Sequence, residues 1–282
     1  MRIIVFGKSG QVATELARRA PDARYLGRDE ADLTDPAGCA AAIRAARPDA
    51  VINAAAYTAV DRAEEEEAAA TTINGTAPGA MAGACADLDI PLVHISTDYV
   101  FDGTGSRPWH PADPTGPINA YGRSKLAGEE ALRAAGGRHV ILRTSWVFSA
   151  QGANFVKTML RLAESHDHLR VVADQIGGPT PAGDIAAACL TLARALHEGA
   201  TGGTHHFAGA EPASWAGFAR ETFARAGQDV TVEDITTEAW PTPAKRPLNS
   251  RLDCGALMRD FGIAAPDWRD GLAKVIAELK GR

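Results

Sequence analysis

The chain has 282 residues, 45% hydrophobic and 23% charged, enough for one large or two modest domains around a sizeable core. Acidic side chains outnumber basic ones, 35 to 29, and the net charge of −6 argues against nucleic acid as a partner. No apolar run approaches the roughly 18 residues of a membrane span, no signal pattern follows Met1, and Cys39, Cys85, Cys189 and Cys254 lack metal-ligand spacing, so a cytoplasmic protein with reduced thiols is expected.

Residues 2–6 are a short apolar run ending at Gly7, which predicts a buried strand. A helix follows over Gln11–Arg19, then a strand over residues 23–26. Pro36 suits the first turn of a helix running to Ala46, and Ala50–Asn53 reads as a third strand. The Ala-rich stretch 62–86 predicts a helix that Gly75, Pro78 and Gly79 bend or break. Residues 91–96 form a fourth strand, 121–135 a helix stopped by Gly136-Gly137, and His139–Thr144 a fifth strand. After Val147 the texture changes to loops at 174–181, 209–214 and 236–251, with short, broken helices between them. His205-His206 reads as packing rather than a metal site, because strand neighbours point to opposite faces.

This alternation predicts an α/β fold, a Rossmann-type doubly wound parallel sheet with a smaller, mixed C-terminal substrate-binding domain. The cofactor domain is expected over residues 1–146 with a return segment at about 169–200, and the smaller one over about 147–168 and 201–282. In such sheets a ligand sits beyond the carboxyl ends of the strands. Gly7, residues 54–58, Thr97 and Trp146 all follow predicted strands, so they should share one crevice.

Gly7-Lys-Ser-Gly10-Gln-Val-Ala13 lies where the first strand turns into a helix. Glycines there admit a diphosphate, and the helix N-terminus favours its charge. Lys8 reads as a solvated side chain. After strand two, Arg28 would accept a 2′-phosphate, whereas Asp29 or Glu30 would bind free ribose hydroxyls; the balance leans to NADPH over NADH. Asp32 and Leu33 should lie near the adenine. Tyr121 and Lys125 fall on one helix face, where an ammonium lowers a phenol's pKa and the phenol exchanges a proton with a reacting oxygen. Thr97 would hold that oxygen. A diphosphate favours planar guanidinium donors, so Arg246 is a candidate contact.

Gly7-x-x-Gly10, Asn53-Ala-Ala-Ala56, Ser96-Thr97-Asp98 and Tyr121-x-x-x-Lys125 resemble the extended short-chain dehydrogenase/reductase family. Residues 53–61, 96–102, 143–148, 174–180 and 241–250 narrow the resemblance to its branch that reduces dTDP-4-dehydrorhamnose. The resemblance implies NAD(P)H-dependent reduction of the carbon 4 ketone of dTDP-4-dehydro-β-L-rhamnose to dTDP-L-rhamnose. It gives Tyr121, Lys125 and Thr97 catalytic roles. Gln11, Val12, Asp32, Leu33, Ala56, Tyr57 and Thr58 match cofactor positions, while Asp98, Trp146 and Val60 match the sugar-nucleotide pocket. Some relatives carry Mg²⁺ at a homodimer contact, where Glu15 and Glu278 match and the stretch around Asp184 does not.

Two other readings compete. An epimerase or dehydratase of the same family is weakened for the dehydratase, because no Glu follows Asp98. A non-catalytic regulatory subunit, like that of methionine adenosyltransferase, has no need of the intact Thr97, Tyr121 and Lys125.

Overall fold

The computed structural model describes residues 1–281. The first half follows β1 (Ile3–Phe6), α1 (Gln11–Arg19), β2 (Arg24–Leu26), α2 (Pro36–Ala46), β3 (Ala50–Asn53), α3 (Glu67–Thr71), α4 (Ala77–Asp87), β4 (Leu92–Thr97), α5 (Ala120–Ala135) and β5 (His139–Thr144). The second half follows β6 (Val147–Phe148), α6 (Phe155–Ala163), β7 (His168–Val172), β8 (Ile176–Gly177), β9 (Thr180–Pro181), α7 (Ala182–His197), β10 (Gly203–His206), β11 (Ala213–Ser214), α8 (Trp215–Ala226), β12 (Thr231–Ile235), β13 (Asn249–Ser250), α9 (Gly255–Phe261) and α10 (Trp268–Lys280).

The main sheet has six parallel strands in the order β10-β5-β4-β3-β1-β2. After β2 the chain crosses back over β1 to reach β3, so the order reverses between β1 and β3, and a crevice opens there at the strands' carboxyl ends. Side chains alternate across each strand. Val5 and Ile52 pack on one face against Leu16 of α1 and Ile185 and Leu192 of α7. Ile4, Phe6 and Val51 pack on the other against Ile43 of α2 and Met81 of α4, with Leu132 of α5 closing the same layer.

The helix starts are readable in chemical terms. Asp35 caps α2 by accepting from the Gly38 N–H, with Pro36 at the first helical position. Asn119 caps α5 by accepting from the Gly122 N–H at 2.8 Å, and Gly136 ends it in the left-handed conformation. The Ala-rich stretch breaks as its glycine predicted, into α3, a π-helical turn over Thr72–Thr76, and α4. That turn swings Asn74 inward, where its amide donates to Tyr57 O at 3.0 Å and to Ser124 Oγ at 2.9 Å. Gly128 of α5 lets the two segments meet, since a Cβ there would lie 2.1 Å from Asn74 O.

The second half differs from expectation in two ways. α7 runs 16 residues, as long as α5, and is a full layer of the sheet rather than a broken helix. β10 belongs to the main sheet beside β5, whereas the sequence pattern places residues 201–282 in the smaller domain. Its sequence, Gly-Thr-His-His, has no apolar run to announce a strand. His205 and His206 are buried on opposite faces, donating to Asp260 Oδ2 and to Trp109 O. The smaller region packs α6, α8 and α10 around Phe148, Phe218 and Trp268, with the β7–β12 pair against α8.

Candidate active site

The crevice at the strand ends is a cavity of about 710 Å³, within the range of small-molecule sites. Gly7, Gly10, Gln11 and Val12 line one end. Gly7 adopts a φ of +112°, and a Cβ there would press to 3.3 Å on the Ala54 backbone. Gly10 begins α1 without a side-chain cap, leaving the first-turn N–H groups for a ligand. Gln11 braces the far wall by accepting from Ser149 Oγ and Asn154 Nδ2, both at 2.9 Å. Arg28, Asp32 and Leu33 continue the cavity from the end of β2. Arg28 is exposed, and the Thr34 backbone N–H holds the Asp32 carboxyl below its ordinary value. Ala56, Tyr57, Thr58 and Val60 form the wall after β3.

The other end holds Thr97, Asp98, Tyr121, Lys125 and Trp146. Thr97 Oγ1 donates to Asp98 Oδ1 at 3.0 Å and accepts from the Tyr99 N–H. Burial pushes the Asp98 carboxyl up to about 6, against the opposing pull of the Ser250 and Thr97 hydroxyls. Two buried polar atoms here make no hydrogen bond: Asp98 Oδ2 and Thr144 Oγ1. Such orphans are costly unless a ligand completes them. Trp146 sits at a φ of +48° with its ring stacked on Trp215 at 3.6 Å.

The Tyr121–Lys125 pair shares one face of α5, but the electrostatics depart from expectation. Burial pushes the Tyr121 phenol up to about 12, only partly offset by the Thr97 hydroxyl. Lys125 does not lower it, because its ammonium is itself buried and pushed down to about 8. Its Nζ turns away to donate to Ile95 O at 2.7 Å and meets His94 Nε2 at 3.3 Å. Without a ligand, Tyr121 is therefore a protonated acid.

Two predicted residues stand outside the cavity. Arg246 spends its guanidinium on Asp61, at 2.6 and 2.7 Å, and on Ala244 O, which pins the 241–247 segment to the wall after β3. Glu15, buried between α1 and the start of α7, accepts from Arg18 and Arg19, and Glu278 also pairs with Arg18. A cation at Glu15 would have to displace both guanidiniums. No group of three metal-ligating side chains occurs among the described residues. Sequence reasoning missed Thr144, Ser145, Gly152, Ala153 and Trp215, which also line the cavity. Thr144 was findable, since it ends a predicted strand. Trp215 carries only a helix-start signal, Ser214, whose side chain accepts from the Gly217 N–H.

Comparison with known proteins agrees with this architecture. The model of the RmlD substrate binding domain family matches residues 1–280. A dTDP-4-dehydrorhamnose reductase of Sinorhizobium fredii is 47% identical over 99% of this chain and 98% of its own. A solved dTDP-4-dehydrorhamnose reductase from Clostridium acetobutylicum superposes with a TM-score of 0.93 at 36% identity, covering 99% of this chain and 100% of its own. One from Bacillus anthracis, solved in complex with NADP, superposes with a TM-score of 0.91 at 34% identity, covering 98% and 99%. A glycine turn at the first strand end, a Thr-Tyr-Lys cluster at the fourth and a match over nearly the whole length place the chain in the dTDP-4-dehydrorhamnose reductase family of extended short-chain dehydrogenases/reductases.

Proposed function

We propose that this chain reduces the carbon 4 ketone of dTDP-4-dehydro-β-L-rhamnose to give dTDP-L-rhamnose, the last step of dTDP-rhamnose synthesis, with Tyr121, Lys125 and Thr97 as its catalytic groups. One observation carries the assignment of roles: a dinucleotide cradle and a buried phenol occupy opposite ends of one continuous cavity. The residues fit a nicotinamide dinucleotide. Gly7 clears the way for a diphosphate, the open start of α1 receives its charge, and Arg28 stands where a 2′-phosphate would lie. NADPH is therefore the preferred reductant. When bound, the reduced nicotinamide supplies a hydride to the ketone carbon.

The chain's own groups handle the oxygen. Thr97 Oγ1 and the Tyr121 hydroxyl converge where the ketone oxygen would sit; Thr97 turns its proton there from Asp98 Oδ1, and both donate to the oxygen as negative charge develops. Tyr121 enters protonated and gives its proton to the alkoxide. Burial of Asp98 and Thr144 keeps bulk water from competing, and their free oxygens are left for sugar hydroxyls. Trp146, stacked on Trp215, offers a rigid apolar edge to the sugar. Lys125 orients the nicotinamide ribose. The four cysteines are free thiols and no described helix is long and apolar enough to cross a membrane, which suits a cytoplasmic site of action.

The test is NADPH oxidation by purified protein with enzymatically made dTDP-4-dehydrorhamnose, using UDP- and GDP-keto sugars as controls. Turnover of the dTDP substrate well above both controls is expected. NADPH binding without reduction of any keto sugar would favour a non-catalytic role.

A further inference from the structure

His94 of β4 is fully buried and serves neither the hydrophobic core nor the proposed proton donation. We propose that His94 is a positioning residue: with Asn53 it aims an imidazole N–H at Lys125 and, in mildly alkaline solution, holds that side chain as a neutral amine until a dinucleotide binds. This rests on the catalytic reading of Lys125 given above.

The hydrogen bonds fix the tautomer. Asn53 Oδ1 accepts from the Ala55 N–H at 3.1 Å, so its amide nitrogen must be the atom facing His94 Nδ1, also at 3.1 Å. An NH₂ group only donates, so Nδ1 is the acceptor. Complete burial keeps the ring neutral, with its value held well below the ordinary one. A neutral imidazole has one proton, and it must sit on Nε2. Nε2 lies 3.3 Å from Lys125 Nζ. An ammonium has no lone pair to accept that N–H, whereas a neutral amine accepts it while donating to Ile95 O.

The charged and titratable neighbours do not alter the balance. Glu129 on the same helix favours the ammonium, but its carboxylate is committed to Arg143, Ser96 and Arg133. His139, on the neighbouring strand β5, further disfavours an imidazolium. Asp98 and Tyr121 bear on each other and on Thr97, and on the packed α3 side Glu67 pairs with Arg123. The ribose hydroxyls of a bound dinucleotide would give Nζ new acceptors. Nζ then takes one proton from solvent, and binding becomes linked to proton uptake.

The experiment has two arms, neither of which reads turnover. Nitrogen-15 NMR of the ligand-free protein with labelled histidine at about pH 9, above the Lys125 value of about 8, should show His94 as the neutral Nε2–H tautomer; an Nδ1–H tautomer or an imidazolium overturns the proposal. Calorimetric titration with NADPH in buffers of different ionisation heat should show uptake approaching one proton at about pH 9, above the Lys125 value of about 8, and falling toward zero by about pH 7. In His94→Gln the amide oxygen can face Nζ and keep it charged, so uptake at about pH 9 should fall at least several-fold. Absence of uptake in the wild type, or unchanged uptake in His94→Gln, refutes the role. Failure of NADPH to bind at all would count against the reductase reading, and the tautomer would still decide the role of His94.

Discussion

Glu129 is the clearest place to test how the catalytic helix is held. Its carboxylate, on α5, accepts from Arg143 Nε at 2.8 Å and Nη2 at 2.6 Å, from Ser96 Oγ at 2.6 Å, and from Arg133 Nη2 at 2.8 Å. It thereby ties the helix carrying Tyr121 and Lys125 to the ends of β4 and β5. Arg143 is 1% exposed and Glu129 fully buried. Glu129→Gln keeps the shape but puts an NH₂ group against donors and leaves the guanidinium without its counter-charge. Breaking a buried pair from one side costs about 3–5 kcal/mol, which lowers Tm by on the order of 10 °C in a chain of this size. Urea unfolding followed by circular dichroism measures it. The sign with pH follows from the carboxyl. Burial alone would raise it, but Arg143 and its neighbours hold it below its unfolded value. Its contribution is therefore present above the unfolded carboxylate value and lost as pH falls through the folded one, so the gap between wild type and Glu129→Gln should narrow in acid. Glu129→Met combined with Arg143→Met should recover most of the loss, because a well-packed apolar pair needs no counter-charge. A Glu129→Gln loss below about 1 kcal/mol, or a double variant less stable than the single, would refute this reasoning.

Three further predictions follow from the cavity. Gly7→Ala places a Cβ at 3.3 Å from Ala54 in a left-handed backbone; it should cost about 1–3 kcal/mol in chemical unfolding and weaken NADPH binding at least tenfold by calorimetry. Burial raises the Asp98 carboxyl to about 6, so its ionised form is penalised in the folded state above that pH. Asp98→Asn should therefore gain up to about 3 kcal/mol at about pH 8, with the gain fading as pH falls through the raised value, while the KM for the sugar nucleotide rises; thermal unfolding at the two pH values checks the sign. Arg28→Asp should move the NADPH-to-NADH ratio of kcat/KM toward NADH by on the order of tenfold or more, one lost charge-assisted contact to the 2′-phosphate; an unchanged ratio removes Arg28 from the cofactor site.

The parts of the fold that the sequence made legible are those where local chemistry and tertiary need coincide. The apolar runs of β1, β3 and β5 are buried on both faces, so each reads as a strand without its neighbours. Gly136 marks the end of α5. The site is legible for the same reason, since Gly7, Thr97 and Trp146 each lie at or just beyond the end of a readable strand and the parallel sheet gathers strand ends at one edge. The place of β10 in the main sheet escaped because its partner, β5, lies far away in sequence. Arg246 looked free for a diphosphate because nothing local reveals that Asp61, across the fold, already accepts from it. The depressed phenol expected from Lys125 failed on burial: desolvation raises the phenol and lowers the ammonium, whose Nζ turns to Ile95 O instead, and no motif spacing reports that.

The central claim is that the Tyr121 hydroxyl gives the proton to the reduced oxygen. Single-turnover reduction of dTDP-4-dehydrorhamnose by NADPH-loaded Tyr121→Phe tests it most directly, alongside the NADPH dissociation constant and thermal unfolding of the same variant. The structure predicts unchanged cofactor binding, a folded protein and a chemical step slower by about a hundredfold to ten-thousandfold. A chemical step within a few-fold of wild type would contradict the assignment and move the proton donor elsewhere, with the buried Asp98 carboxyl the next group to examine.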